Sequence, residues 1–268
     1  MAKIIDGRAI AERVKDKIAQ DIYDFKGPRP NLAIILIGER EDSKLYVSLK
    51  EREGKKVGID THLYSFANSS SEADILEVIK FLNKDKLIDG ILVQLPLPAG
   101  LNTDKIISAI DPKKDVDGFH PQHPDYIVSP VFAATAACLE EVKIVGQGKS
   151  ACLLYNSDIF GRGLEEVIIG RGFKIITPEN IKEADLIVSA LGNPLSIKKE
   201  MVKKDAVVID IGISKVDGHV YGDADFNDLQ DTVSFITPVP GGIGPMTIAF
   251  LFKNVLEIFR RRQAELIQ

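Results

Sequence analysis

Tyr46 and Lys50 stand four residues apart in a stretch predicted to be helical, so their side chains share one face about one turn apart. A lysine ammonium partly desolvated beside an aromatic ring loses its proton more readily than one in water, and can then act as acid or base. The opposing reading is a solvated lysine, which Lys44, Lys55 and Lys56 on the same helix favour on composition alone. Gln94 ends the apolar run Gly90-Ile-Leu-Val93 and leads into Leu95-Pro-Leu-Pro98. A neutral amide at the end of a buried strand can bond a lysine or a substrate without charging the site, or it can be satisfied by backbone; both readings stand.

Asp115 and Asp117 flank Val116 in Asp111-Pro-Lys-Lys-Asp-Val-Asp-Gly-Phe-His-Pro121. The ligand series of a calcium loop is not completed downstream, so one Asp reads as a turn former and the other as an acceptor for a ligand. His120 and His123 bracket Pro121 without a further His or Cys cluster, and no metal site is expected. The loop Thr237-Pro-Val-Pro-Gly-Gly-Ile-Gly-Pro245-Met-Thr247 concentrates prolines and glycines, which makes it stiff yet open to a ligand approaching bare backbone. Tyr155-Asn-Ser-Asp-Ile-Phe-Gly-Arg-Gly163 joins an apolar strand to a helix, where a dinucleotide's diphosphate would meet backbone N–H groups. Its glycines, Gly161 and Gly163, do not complete the G-x-G-x-x-G pattern.

These residues need elements to hold them. Ala9 to Ile22 is amphipathic at helical spacing, Leu32 to Ile37 is a short β-rich run, and Asp42 or Ser43 can cap a helix through Lys56 that carries Tyr46 and Lys50. Ser71 to Leu82 reads as a helix and Gly90 to Gln94 as a buried strand, and such alternation predicts parallel βαβ units. The chain is irregular after Gly118 and helical again from Val131 to Val142. A fresh series follows: Ala151 to Tyr155, a helix from Gly163 to Gly170, Phe173 to Ile176, Leu186 to Ser189 and Val207 to Asp210. The final helix lies outside that series and is expected to return to the first domain. The expected fold is α/β with two domains and a cleft between them: a discontinuous N-terminal domain, 1–129 plus 241–268, and a Rossmann-like dinucleotide-binding domain, 130–240.

At 268 residues, 45% hydrophobic and 27% charged, the chain is long enough to bury two cores. Its net charge of −5 comes from interleaved acids and bases with no basic block beyond Arg260-Arg-Arg262, which argues against nucleic acid as a partner. Cys138 and Cys152 lie in apolar stretches and read as buried free thiols in a reducing compartment. The N-terminus has no apolar signal region and no run reaches the length of a membrane span, so a soluble cytoplasmic protein without a membrane partner is expected.

Five segments in order, Lys3-Ile-Ile-Asp-Gly7, Tyr46-x-x-x-Lys50, Asp89-Gly-Ile-Leu-Val-Gln-Leu-Pro-Leu-Pro98, Lys114-Asp-Val-Asp-Gly-Phe119 and Ile236 to Thr247, resemble the bifunctional methylenetetrahydrofolate dehydrogenase/cyclohydrolase family over nearly the whole chain. The resemblance implies hydride transfer from methylene-tetrahydrofolate to NADP, then hydrolysis of the methenyl cation to formyl-tetrahydrofolate, chemistry that feeds purine biosynthesis. It implies Lys50 as the catalytic lysine, Gln94 as its hydrogen-bond partner, Tyr46 stacking on the folate, and Asp117 on the amino-pyrimidine edge of the pterin. Pro240, Gly241 and Gly242 would close over the folate, and the first domain would be the folate-binding catalytic one. The second would bind NADP, with NAD possible, through Tyr155, Asn156, Ser157, Gly161 and Ile213. A cytoplasmic homodimer is the family expectation.

The cofactor half departs from the family pattern. Tyr155 stands where a Gly is usual, Asn156 where an Arg is frequent and Gly163 where a Pro is usual. Pro130-Val-Phe-Ala-Ala-Thr135 replaces Pro-Cys-Thr-Pro-x-Gly, and after Ile176 a His-Ser-x-Thr-like stretch gives way to Thr177-Pro-Glu-Asn180. Three readings follow: the bifunctional enzyme, a cyclohydrolase with weakened dehydrogenase activity, and a folate-binding regulator without turnover.

Overall fold

The computed structural model describes residues 1–267, apart from the side chains of Ile159 and Ile267. In chain order the first elements are β1 (Lys3–Ile4), α1 (Gly7–Phe25), β2 (Asn31–Ile37), α2 (Glu41–Val57), β3 (Asp60–Phe66), α3 (Glu72–Lys84), β4 (Gly90–Val93), α4 (Thr103–Ser108) and α5 (Pro130–Glu141). There follow β5 (Ser150–Tyr155), α6 (Asp158–Gly170), β6 (Lys174–Ile176), β7 (Leu186–Ala190), β8 (Val207–Asp210), β9 (Ser214–Val216), β10 (His219–Tyr221), α7 (Phe226–Leu229), β11 (Phe235–Ile236) and α8 (Ile243–Ile267). The chain divides into two compact units: Arg13–Pro130 with the chain from Ile248 onward, and Met1–Glu12 with Val131–Thr247.

The first unit is built on a parallel sheet of order β3-β2-β4. Its central strand is apolar at every second position on both faces. Leu32, Ile34 and Leu36 face a core made with Ile18 of α1, Val47 and Val57 of α2, and Leu251, Phe252, Val255 and Phe259 of α8. Ala33, Ile35 and Ile37 face a second core made with Ile75, Ile79 and Leu82 of α3 and Ile106 and Ile107 of α4. A strand covered on both faces reads as a continuous apolar run, which is why β2 is legible in the sequence. Ser71 caps α3 in a capping box with Asp74, whereas α2 begins earlier than Asp42 or Ser43 would place it, with Arg40 at the cap and no side-chain cap bond.

The second unit carries a six-stranded parallel sheet of order β1-β11-β8-β7-β5-β6. β5 is followed in sequence by β6 on one side and β7 on the other, so the strand order reverses between β5 and β7. An open parallel sheet binds ligands at that switch point, outside the carboxyl ends of the strands. Residues 1–12 and 241–247 fall in this unit rather than with 13–130 as the expected division had them. The reason is pairing: Lys3 and Ile4 hydrogen-bond alongside Phe235 and Ile236. At Gly7 a Cβ would collide with the Gly242 backbone, so the start of α1 approaches the glycine loop as only glycine allows. α8 starts at Ile243, and Pro245 is tolerated because first-turn N–H groups have no intrahelical partner.

Within the first unit Asn254 of α8 ties the core to the loop carrying Asp117. Its buried Nδ2 donates to the Val116 carbonyl at 2.9 Å and the Val128 carbonyl at 2.8 Å. Asn254→Ala leaves both carbonyls without this donor and is expected to lower stability by roughly 2–4 kcal/mol. Urea denaturation followed by circular dichroism measures this; a loss below about 0.5 kcal/mol, the scale of a surface substitution, would show that the clamp is dispensable.

Candidate active site

α2 presents Ser43, Tyr46, Val47 and Lys50 on one face, and the buried Val47 fixes which way that face turns. Lys50 Nζ donates to Gln94 Oε1 at 2.8 Å, and Gln94 Nε2 donates to the Leu95 carbonyl at 2.7 Å. Both open readings of Gln94 therefore hold at once: one end of the amide is satisfied by backbone, and this turns its oxygen toward the lysine. Lys50 is not the solvated lysine of composition. Desolvation lowers its pKa, and the negative charge of Asp117 partly restores it. Tyr46 is half-buried, and burial, with the nearby Asp42 charge, raises its hydroxyl.

Asp115 and Asp117 divide their tasks. Asp115 is buried and accepts from the backbone N–H of Asp117 at 3.0 Å and of His120 at 2.8 Å, so it is the turn former. That leaves the Asp117 side chain free of loop-building duty. Burial pushes Asp117 up to about 6, against the pull of the Lys50 cation. His120 contributes to the same turn: Gln122 N donates to its Nδ1 at 3.0 Å, and its Nε2 meets the Ser108 carbonyl at 3.2 Å, which fits a neutral ring protonated at Nε2. Among the described residues no group of three or more His, Cys, Asp or Glu side chains could hold a metal ion.

The residue missed by sequence reasoning is Ser43. It is 3% exposed and its Oγ has no hydrogen-bond partner, although it lies on the Tyr46–Lys50 face. The spacing 43, 46, 47, 50 carried the signal, obscured because Ser43 also reads as a helix cap. α2 is further fixed by Glu53, which accepts from Lys15 of α1 at 2.5 Å and Lys56 at 2.8 Å. Although burial opposes ionisation, these cations hold the Glu53 carboxyl down to about 2.

The remaining predicted residues lie on the six-stranded unit. Pro240 is exposed, while Gly241 and Gly242 are buried in the loop before α8. At the switch point Asn156 follows β5, and its Nδ2 donates to the Leu191 carbonyl after β7 at 2.9 Å. Ser157 caps α6, and Ile213 is exposed in the loop after β8. Tyr155 differs from a bare glycine turn: its ring fills the space a Cβ on Gly161 would need, and its hydroxyl donates to Glu165 at 2.8 Å.

Asp223, fully buried, organises the loop opposite Asn156. It accepts from Ser189 Oγ, Leu191 N and Asn193 N, each at 2.7 Å. Asp210, at the end of β8, accepts from Gly212 N at 2.9 Å and Ala224 N at 2.8 Å. Burial and the neighbouring Asp223 charge push Asp210 up to about 7 against those hydrogen bonds. A cavity of about 720 Å³ opens beside it, lined by Asp210, Tyr221, Gly222, Thr237, Pro238 and Val239. The two cysteines are buried and unpaired, and burial raises Cys138 to about 12 and Cys152 to about 11, which makes both poor nucleophiles.

These groups define a two-unit α/β protein, with a desolvated lysine bonded to Gln94 on one unit and an open parallel sheet with a switch point on the other. Comparison with known proteins carries the assignment further. Residues 5–117 match the family model "Tetrahydrofolate dehydrogenase/cyclohydrolase, catalytic domain", and residues 132–263 match "Tetrahydrofolate dehydrogenase/cyclohydrolase, NAD(P)-binding domain". The bifunctional protein FolD of Pelobacter propionicus is 38% identical over 99% of this chain and all of the relative. That of Aquifex aeolicus is 37% identical over 100% of this chain and 98% of the relative. The crystal structure of the Campylobacter jejuni FolD dehydrogenase/cyclohydrolase superposes with a TM-score of 0.93 at 32% identity, covering 98% of this chain and 100% of that one. The Trypanosoma brucei enzyme, complexed with NADP cofactor and inhibitor, gives 0.91 at 29% identity, covering 97% and 98%. The chain belongs to the tetrahydrofolate dehydrogenase/cyclohydrolase family.

The coupling between Lys50 and Asp117 has a measurable sign. Asp117→Asn removes the charge that raises the lysine's pKa, so Lys50 should titrate at a lower pH than in the parent protein. Following the Lys50 Cε resonance by NMR tests this; an unchanged or higher midpoint would show that the two groups are independent.

Proposed function

We propose that this chain oxidises 5,10-methylene-tetrahydrofolate to the 5,10-methenyl form with NADP and then hydrolyses that cation to 10-formyl-tetrahydrofolate. The observation that carries the reading is the desolvated Lys50 bonded to Gln94 beside Asp117, in a chain matched by both family models. Residues 13–130 with the chain from 248 onward supply the folate groups, and the six-stranded unit supplies the dinucleotide site.

Hydrolysis requires water to add to the methenyl carbon, a proton to leave that water, and a proton to reach the ring nitrogen as its bond to carbon breaks. Lys50 performs both transfers in turn: a lysine with a lowered pKa can take the proton as the neutral amine and return it as the ammonium. Gln94 holds Nζ in place. An acceptor without charge adds nothing to the partial compensation that Asp117 supplies, where a carboxylate bonded to Nζ would raise the lysine's pKa further. Asp117 accepts hydrogen bonds from the amino-pyrimidine edge, and Tyr46 stacks on the folate. NADP, when bound, supplies the hydride acceptor for the oxidation. The switch-point residues Asn156, Ser157, Gly161 and Ile213, with the Tyr155 backbone, line its place, and Pro240 to Gly242 provide a side-chain-poor wall.

On the same proposal the protein is a cytoplasmic homodimer contributing one-carbon units to purine biosynthesis. Supporting the compartment, Cys138 and Cys152 are free thiols, and no helix among the described residues is long and apolar enough to cross a membrane. Supporting the dimer, Val216 and Val220 are exposed on the isolated β9–β10 hairpin.

Lys50→Met keeps the apolar stem but cannot ionise. It is expected to lose at least about a hundredfold in methenyl-folate hydrolysis while retaining folate binding, as for removal of an acid–base group. Hydrolysis above a tenth of the parent rate would remove Lys50 from the reaction. Asp117→Ala is expected to weaken folate binding by roughly 2–4 kcal/mol. Because the ionised Asp117 accepts more strongly, and through both oxygens, than its neutral acid, parent affinity should also fall as pH drops through about 6. Calorimetry across pH 5–8 reads both effects, and a pH-independent affinity would leave Asp117 a loop residue.

A further inference from the structure

The adenosine end of the dinucleotide site differs in charge from its diphosphate end. In sheets of this kind the adenosine ribose lies over the carboxyl end of the strand beside the phosphate turn, and an acidic residue about 20 positions after the glycine turn takes its 2′-hydroxyl. Here that strand is β6, paired with β5 up to Cys152 and Ile176, and the chain then turns through Thr177 and Pro178 to Glu179. Glu179 lies 18 residues beyond Gly161. It is exposed, and the Thr177 hydroxyl, with its own backbone N–H, keeps its carboxyl below the usual range and therefore charged. That charge reaches β5, where it adds to burial in raising the Cys152 thiol. Glu179 sits in the turn that directly follows β6, the strand paired with β5.

The surroundings supply little to hold a phosphate. Thr177 to Asn180 contain no Lys or Arg, and Asp158 adds a further carboxylate in the first turn of α6. Arg162 directs its Nε to the Asp158 carbonyl at 3.4 Å, and Lys182 stands at the other end of the 3₁₀ turn, beyond its kink at Asn180. The turn after β5, with Ser157 at the start of α6, still fits a diphosphate held by backbone N–H groups.

We propose that Glu179 sets dinucleotide choice: its carboxylate accepts from a ribose 2′-hydroxyl and repels a 2′-phosphate, so this chain binds NAD at least as tightly as NADP. The inference rests on the dehydrogenase half of the proposed function and adds the residue that decides which dinucleotide enters.

Calorimetric titration of the full-length protein with NAD and with NADP, without folate, tests this independently of turnover. In the parent protein the Kd for NAD should not exceed that for NADP. Glu179→Gln should tighten NADP by about tenfold and change NAD by less than about threefold, and high salt should shrink the difference. Lys182→Gln should leave NADP affinity unchanged. An NADP affinity above that for NAD in the parent, an unaltered ratio in Glu179→Gln, or a loss of NADP binding in Lys182→Gln would each overturn the assignment. Binding of neither dinucleotide at millimolar concentration would overturn it together with the dehydrogenase reading, whereas the other three outcomes leave that reading standing.

Discussion

The bond from Lys50 Nζ to Gln94 Oε1 joins α2 to the end of β4, and much of the three-stranded unit serves to keep both ends in place. Gln94 is fixed by its own backbone, whose N–H donates to the Ile35 carbonyl of β2, and by its amide bond to Leu95. Lys50 is fixed by the rotation of α2, which Val47 in the core and the Glu53–Lys15 pair together determine. Glu53 lies three residues after Lys50, so a shift of the pair would swing the lysine by a comparable amount. A neutral acceptor at the end of a rigid strand and a cation on a clamped helix give a contact that holds position without restoring the charge preference of water.

The sequence displayed this arrangement unevenly. β2 and β4 were legible because burial on both faces leaves unbroken apolar runs, and α3 because Ser71 and Asp74 form a local capping box. β3 was missed: it is an edge strand, Asp60-Thr-His-Leu-Tyr-Ser-Phe66, with several exposed positions and no apolar run. The same holds for the exposed β9–β10 hairpin. Lys50 posed a harder problem, since a helix with several lysines gives no compositional sign of which one is desolvated; only its approach to Gln94, 44 positions away, distinguishes it. β1 was not read as a strand because two residues carry no periodicity, and its pairing with β11 is non-local.

On the six-stranded unit the chemistry sits in loops held by buried carboxylates. Asp223 gathers Ser189, Leu191 and Asn193, and the Leu191 carbonyl receives Asn156, so one buried side chain helps shape both sides of the switch point. No sequence pattern marks this, because its donors are mostly backbone N–H groups that any residue supplies. Tyr155 shows the complementary limit. A Tyr at a customary glycine can be seen in the sequence, but its anchoring to Glu165 and its packing on Gly161 are properties of the fold.

Ionisation imposes the remaining constraint. Asp117 at about 6 and Asp210 at about 7 both have folded pKa values above the ordinary carboxylate range, so each adds most to stability at low pH and loses that contribution as pH rises through its folded value. Lys50 has the opposite pH sense, since its penalty for carrying charge is lifted as pH rises, but at neutral pH that desolvated charge costs stability too. The site is therefore least comfortable with Asp117 ionised, the state that the proposed pterin contact requires. A substrate donating hydrogen bonds to that carboxylate relieves part of the penalty and shifts Asp117 further toward its ionised form. If folate binds as proposed, its binding and proton release are linked through Asp117, and the added negative charge raises the proton affinity of Lys50. On the proposed function, the contact that recognises the pterin would also tune the lysine assigned to the proton transfer.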